Sequence, residues 1–388
     1  LGSTQDQYDW YRGLLNDTGN ERDKLQSTVD RLTADSESPE DKVESIYYWV
    51  QDNIRYVAFE QGLAGFQPEN CQNVYTNKYG DCKGMANLLT EMLQMAGLDA
   101  HMTWIGTNSK VYDYSIPSLA VDNHAITTVF LEGQPHYLDA TEKYIAFGDY
   151  AERIQGRPVL IEQGEDYKLA EVPKFDHQRN LTRKVFDFAV NGDELHGSIA
   201  LRYNGESKVR LLSTWHSLLN ENKEKAKSYL LMRGDDNVHV DEVETSDFDH
   251  RDREMSVTGQ VRLRNKVFSF DGETYIDWAL YQEYGDFKID STRVTDYQFS
   301  QKINLEKETR IKIPAGYTVK TLPENLVLDN ADFNIKVDVS QANGQVVIRQ
   351  QVIVPKARIR VEQIEAWNAA VEALNEKVYK RQIILVKA

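Results

Sequence analysis

The stretch Tyr79-Gly80-Asp81-Cys82-Lys83-Gly84 runs directly into Met85 to Ala96, and its reading decides the fold. Met85, Leu88, Leu89, Met92, Leu93 and Ala96 recur at the spacing of a helix that buries one face. Gly97 follows where a C′ glycine closes such a helix, and Asp81 stands where an N-cap opens it. Cys82 therefore sits on the first helical turn. Unpaired N–H groups and the positive end of the helix dipole stabilise a thiolate there.

Downstream, His124 opens an alternating run that ends at Leu131, and Asp139 lies in the next run, Pro135 to Ala140. Between the runs stands Leu131-Glu132-Gly133-Gln134. A two-residue loop, Glu132-Gly133, would pair Leu131 with Gln134 and so Ile126 with Asp139. Asp139 then shares a sheet face with His124 as its diagonal neighbour, with Cβ atoms roughly 7–8 Å apart or less. A loop one residue longer would turn the carboxylate to the other face, because strand side chains alternate. A thiol, an imidazole and a carboxylate thus stand in chain order, and their meeting depends on one turn.

This constellation resembles the transglutaminase-like cysteine enzyme superfamily, whose papain-like core sets Cys on a helix N-terminus and then His and Asp on adjacent strands. The resemblance covers about residues 38 to 150. It is closest to a bacterial branch in which the core adjoins β-rich domains of unknown function, marked here by Ile54-Arg55-Tyr56-Val57, Gly65-Phe66-Gln67-Pro68 and Tyr79-Gly80-Asp81-Cys82-Lys83. The resemblance implies Cys82 as nucleophile, His124 as general base and acid, and Asp139 as the group orienting the imidazole. It implies acyl transfer through a thioester, attacking a peptide or carboxamide carbonyl and passing the acyl group to water or an amine. The Cys82 backbone N–H is expected in the oxyanion hole, with Gln67 as a candidate second donor.

Each residue has a blander reading. Cys82 could be a small core hydrophobe, His124 a hydrogen-bonded strand-edge histidine, and Asp139 a cap for Ala140-Thr141-Glu142. Cys71, in Pro68-Glu69-Asn70-Cys71-Gln72-Asn73, has no evident helix behind it and reads as structural. His101, Asp122, His124 and His136 lie near one another, but no Cys-x-x-Cys or His-Glu-x-x-His spacing accompanies them. No metal is expected. No glycine-rich phosphate loop follows a strand, so no nucleotide cofactor is expected either.

The chain of 388 residues carries 45 basic and 61 acidic side chains, a net charge of −16. That balance disfavours a nucleic-acid backbone or an anionic membrane surface as partner. No apolar run approaches the roughly 18 residues needed to span a bilayer, and the resemblance implies a protein or peptide substrate as partner. The sequence opens Leu1-Gly2-Ser3 rather than with methionine. With the resemblance, this leads us to expect a processed, extracytoplasmic protein, periplasmic or secreted.

The expected fold class is α+β, a papain-like transglutaminase core followed by a β-rich region with two helices. Residues 1–35 read as a helical extension with Leu25, Val29 and Leu32 inward. The core spans 36–172. Ser38-Pro39-Glu40-Asp41 carries a capping box with proline at the first helical position, and Val43, Ile46, Tyr47, Val50 and Ile54 form one face. Strands are expected at Ala100 to Ile105, His124 to Leu131 and Pro135 to Asp139. The loop Lys110 to Asp122 would lie over the cleft, which makes Tyr112, Tyr114 and Ile116 candidate substrate contacts.

Residues 173–388 form the β-rich region. Strands Val185 to Val190 and Glu194 to Tyr203 flank Asn191-Gly192, a type I′ signal. A helical stretch Ser207 to Met232 and a strand Val238 to Val243 follow. The order returns as Phe333 to Val339, Asn343-Gly344, Gln345 to Val354, a helix Val361 to Tyr379 and a strand Gln382 to Val386. Two β-hairpin-α-β modules would explain this, provided their strand order agrees. Two rival functions belong to other classes: a non-catalytic binding module that keeps the fold, and a scaffold in which the β-rich region carries the function.

Overall fold

The computed structural model describes residues 1–59, 61–218 and 223–388. The chain divides into two compact units, 1–175 and 176–388.

In the first unit, helix α3 (Pro39–Asn53) starts as its sequence dictates. Ser38 Oγ accepts from the Asp41 N–H at 3.1 Å and the Asp41 carboxylate accepts from the Ser38 N–H at 2.9 Å. Val43, Ile46, Tyr47, Val50 and Ile54 are all buried. Before it come α1 (Thr4–Asn16) and α2 (Gln26–Thr33). Leu25 and Val29 are buried, and α1 goes deeper: Tyr11 stacks on Trp104 at 4.7 Å and Tyr8 meets the same ring edge-on at 6.4 Å. The first 35 residues are therefore part of this unit's core rather than an appendage to it.

Strand β1 (Arg55–Tyr56) pairs in parallel with β2 (Tyr79–Gly80). Between them lies α4 (Cys71–Asn77), so Cys71 does have a helix behind it, contrary to the sequence reading. About two turns are too few to show a period, but its start is conventional: Asn70 accepts from the Asn73 N–H at 3.0 Å. Helix α5 (Cys82–Met95) is buried at every position from Cys82 to Thr90. It ends at Gly97, whose φ is +79°, with the Leu98 N–H on the Leu93 carbonyl at 3.1 Å.

Helix α5 packs against β3 (Asp99–Ile105) and β4 (His124–Leu131). These belong to a five-stranded sheet of order β5-β4-β3-β6-β7, with β5 (Gln134–Leu138), β6 (Pro158–Gln163) and β7 (Asp166–Glu171). All its pairs are antiparallel. The pair β6 and β7 was not foreseen, although Val159-Leu160-Ile161 and the turn at Gly164 signal it. The decisive hairpin has the short loop: Leu131 pairs with Gln134 and Thr127 with Leu138. Both Glu132 (φ 51°) and Gly133 (φ 77°) are left-handed, as a type I′ turn requires.

In the second unit, β8 (Leu181–Asn191) and β9 (Glu194–Tyr203) form the expected hairpin. Its loop is Gly192-Asp193, since Asn191 pairs with Glu194. Gly192 alone has a positive φ, so the turn follows the II′ rather than the I′ pattern. Helices α6 (Glu206–Leu218) and α7 (Lys223–Met232) lie along the helical stretch expected from Ser207 to Met232, of which 219–222 lie outside the described residues. Next come β10 (Val238–Thr245), β11 (Met255–Leu263), β12 (Val267–Phe270), β13 (Glu273–Ile276), β14 (Tyr297–Gln298) and β15 (Ile303–Lys312). Strands β16 (Tyr317–Thr321), β17 (Leu326–Asp329), β18 (Asn334–Ala342), β19 (Gln345–Val354) and β20 (Arg358–Ile359) lead to α8 (Ile364–Leu374) and β21 (Ile383–Lys387).

The main sheet has eight strands in the order β10-β11-β9-β8-β15-β19-β18-β17. A second sheet, β12-β13-β21-β16, receives the last strand. The two hairpin-helix-strand stretches consequently differ in topology. Strand β10 stays in the sheet of its hairpin, whereas β21 leaves for the other sheet. The similarity of order along the sequence is thus not a repeat: alternation and a helical period fix element type but not the partner of a strand. On α8 and beyond, Ile364, Trp367, Val371, Leu374 and Val378 are buried as their spacing predicts. Among the described residues no helix is long and apolar enough to cross a membrane.

Candidate active site

Cys82 is the first residue of α5, behind the Asp81 cap, whose carboxylate accepts from the Gly84 N–H at 2.9 Å. Asp81 also pairs with Lys83. At the first helical position the Cys82 N–H has no intrahelical acceptor. His124 is the first residue of β4 and pairs with Ile105, the last of β3. Asp139 follows β5, and continuing the β4–β5 register places it opposite Ile126, diagonal to His124.

The His124 Nε2 to Asp139 Oδ2 distance is 2.8 Å, with both side chains buried. A carboxylate only accepts, so Nε2 carries the hydrogen and Nδ1 is left for the sulfur. Burial works against the imidazolium, but the Asp139 charge, its hydrogen bond and contact with the Cys82 side chain outweigh it and raise the His124 pKa to about 9. For Asp139, burial favours the neutral acid, yet His124 and Arg153 hold the carboxyl well below the usual carboxylate range. Its other oxygen, Oδ1, accepts from the Thr141 N–H at 3.1 Å and the Thr141 hydroxyl at 2.7 Å. The capping role and the site role therefore coexist, one on each oxygen. Tyr47 Oη donates to the Asp139 carbonyl at 3.1 Å and fixes the backbone.

Arg153 was not singled out from the sequence. Its Nη2 donates to Asp139 Oδ2 at 2.7 Å and to Thr141 Oγ1 at 2.8 Å, while Nε donates to Glu142 Oε1 at 2.5 Å. Nη2 also lies 3.2 Å from His124 Nε2. Both atoms are donors in the tautomer above, so this is a close approach rather than a hydrogen bond. Burial, then the Asp139 charge, raises the pKa of Glu142. Nothing local marks Arg153, which lies in an irregular segment between β5 and β6.

The other candidates divide. Gln67 is half-buried and lines a cavity of about 420 Å³ together with Phe59, Tyr79 and Asp81, at the foot of α5. Tyr112 and Ile116 are exposed. Tyr114 is not available as a surface contact: it is buried, and its Oη donates to Asp122 Oδ2 at 3.1 Å. Tyr11 Oη donates to the same carboxylate at 2.8 Å, so this loop is tied to α1. Burial raises the Asp122 pKa to about 6 despite these bonds. His101 is held by Asp99 at 2.8 Å and Glu162 at 3.0 Å. Cys71 is buried, and burial pushes its thiol up to about 11.

Residues 26–139 match the transglutaminase-like superfamily, and residues 275–385 match a domain of unknown function, DUF3858. A crystal structure from Parabacteroides distasonis, named as a candidate protease, superposes over 100% of this chain with a TM-score of 0.60 at 11% identity. The chain spans 59% of that structure's length. A candidate cysteine protease from Cytophaga hutchinsonii is 21% identical over 31% of this chain and 39% of its own, with a TM-score of 0.25. No curated protein is similar enough to count as a match. Over residues 26–139, then, the chain carries a transglutaminase-like core, in an α+β protein whose second unit includes DUF3858.

Proposed function

We propose that the protein is a cysteine-dependent acyl-transfer enzyme acting on peptide or carboxamide bonds. The observation that carries this reading is the buried 2.8 Å contact between His124 Nε2 and Asp139, beside a cysteine at the start of α5. His124 Nδ1 takes the thiol proton first and holds it as an imidazolium, and the resulting Cys82 thiolate Sγ bonds to the carbonyl carbon. The carbonyl π electrons move onto oxygen, where the Cys82 N–H is one donor and Gln67 the candidate for a second. Collapse of this intermediate breaks the C–N bond, and the imidazolium gives its proton to the departing amine. A thioester remains. Water or an amine then attacks it, loses a proton to His124 and returns the thiol.

Asp139 keeps the ring in the tautomer that presents Nδ1 and stabilises the imidazolium. The cavity lined by Gln67, Phe59 and Tyr79 is the proposed entrance for the acyl side of the substrate. Its exposed rings, 6.0 Å apart between Phe59 and Tyr79, favour an apolar side chain there.

The test combines labelling with turnover. Iodoacetamide at neutral pH is expected to modify Cys82 well before Cys71, and His124→Ala is expected to slow that reaction. Cys82→Ala is expected to abolish cleavage of a mixed peptide library followed by mass spectrometry, with an unchanged circular dichroism spectrum. A Cys82 no more reactive than Cys71, or full cleavage by Cys82→Ala, would sink the mechanism.

A further inference from the structure

The second unit holds a cavity of about 560 Å³ that the proposed chemistry does not use. Lys184 on β8, Arg210 on α6, and Arg233 and Glu283 from the connecting segments all line it. Behind it stands Lys307 on β15, whose ammonium donates to the carbonyls of Leu280 at 2.5 Å and Tyr281 at 2.8 Å. Lys307 also meets Glu283 at 3.4 Å, so its three donors are used.

Lys184 is different. It is buried, and its ion partner among the described residues is the Glu283 oxygen that Arg233 also approaches at 3.4 Å. An ammonium has three donors, so Lys184 faces the cavity with hydrogen-bonding capacity to spare. Three cations, Lys184, Arg233 and Lys307, meet the one carboxylate of Glu283, and a fourth, Arg210, lines the same cavity, in a chain whose net charge is −16. Burial, opposed by Glu283 and reinforced by Arg233, lowers the Lys184 pKa to about 8. Uncompensated buried charge is costly, and an anion in the cavity offsets that cost.

The cavity also has an aromatic cluster in its lining. Phe287, Tyr297 and Phe299 all line the cavity, with centroids 5.8 Å apart for Phe287–Tyr297, 5.6 Å for Phe287–Phe299 and 5.0 Å for Tyr297–Phe299. A few charged groups together with an aromatic cluster in one lining are the composition of a small-molecule or chain-end site. We propose that this cavity binds a carboxylate attached to an aromatic or apolar body, with Lys184, Arg210 and Arg233 holding the charge and Phe287, Tyr297 and Phe299 the body. A small organic acid and the C-terminus of a peptide ending in an aromatic residue share this chemistry.

The experiment uses the full chain carrying Cys82→Ala, which separates binding from turnover. Calorimetry compares 3-phenylpropanoate and N-acetyl-Ala-Ala-Phe with their uncharged amides. At least one acid is expected to bind, its amide at least tenfold more weakly, and Arg210→Gln together with Arg233→Gln is expected to weaken the acid at least tenfold. Binding of the small acid alone assigns a metabolite-sized ligand, and binding of the peptide alone assigns a chain end. Lys184→Met should have the same effect; if it does not fold, the arginine variants decide. Equal binding of acid and amide, no binding of either acid at millimolar concentration, or unchanged affinity in the arginine variants overturns the proposal.

Discussion

Arg153 and His124 share one oxygen: Asp139 Oδ2 accepts from Arg153 Nη2 at 2.7 Å and from His124 Nε2 at 2.8 Å. The guanidinium thus holds the carboxylate ionised while competing with the imidazole for it. Glu142 takes Arg153 Nε at 2.5 Å and steers the guanidinium from the far side. The arrangement fixes Asp139 from three directions, with Thr141 on Oδ1 as the third.

Arg153→Gln should therefore cost stability through its partners. It leaves two carboxylates together, one fully enclosed and the other mostly so. Loss of a partner from a buried pair costs about 3–5 kcal/mol, but the Arg153 side chain is 35% exposed. Solvent screening reduces the expected loss to about 1–3 kcal/mol. Urea unfolding at neutral pH measures it, and a loss below the error of the method would show that Glu142 and Asp139 do not depend on Arg153.

The imidazole gives a pH prediction with a definite sign. Its pKa rises from 6.5 to about 9 in the folded protein. The folded state therefore binds the proton more tightly than the unfolded chain does. The resulting stability is fully present below pH 6.5 and is lost as pH rises through about 9. Nuclear magnetic resonance of labelled histidine should show one ring titrating near that upper value. In Asp139→Asn the midpoint should fall, because the amide still accepts from Nε2 but no longer stabilises the imidazolium, and Cys82 alkylation should slow in parallel. An unmoved midpoint would remove Asp139 from this role.

The placement of Cys82, His124 and Asp139 was legible in the sequence because each carries a local signal. Asp81 and the apolar spacing place Cys82, strand alternation places His124, and the length of one turn places Asp139. Arg153 carries no such signal, since it reaches Asp139 through the path of an irregular segment that no period describes. Tyr114 misled for the opposite reason: a tyrosine in a loop reads as exposed until its hydroxyl's partner, Asp122, is known. In the second unit, hairpins and α8 were legible from turns and spacing. The partners of β10 and β21 were not, because pairing between distant strands leaves no mark in either strand alone.

Asp122 yields a prediction about the first unit's stability. Burial raises its pKa from 3.8 to about 6 even though Tyr11 and Tyr114 donate to it. A group whose folded pKa is raised stabilises most while protonated in both states. That contribution is present below pH 3.8 and is lost as pH rises through about 6. Asp122→Asn keeps an acceptor for the tyrosines and removes the charge. The stability difference between variant and parent should grow in the variant's favour across that interval and stay level above it. Denaturation across the pH series measures it, and a flat difference would mean that Asp122 is better solvated than its surroundings imply.

The last prediction concerns the turn that assembles the site. Glu132 and Gly133 both have positive φ, at 51° and 77°, and a glutamate pays a steric penalty there that asparagine and glycine largely avoid. Glu132→Asn should therefore stabilise the protein by up to about 1 kcal/mol and leave Cys82 alkylation unchanged, since the register stays fixed. Inserting one glycine after Gly133 tests the register itself. If the strands re-pair one residue out of step, Asp139 turns to the opposite face, and His124 loses both its tautomer and its charge partner. The insertion variant should fold, because a longer hairpin loop costs little closure entropy, yet its histidine midpoint should drop as in Asp139→Asn. A folded insertion variant with parental titration and parental Cys82 reactivity would show that the added residue bulges out and that side-chain packing, not turn length, sets the register.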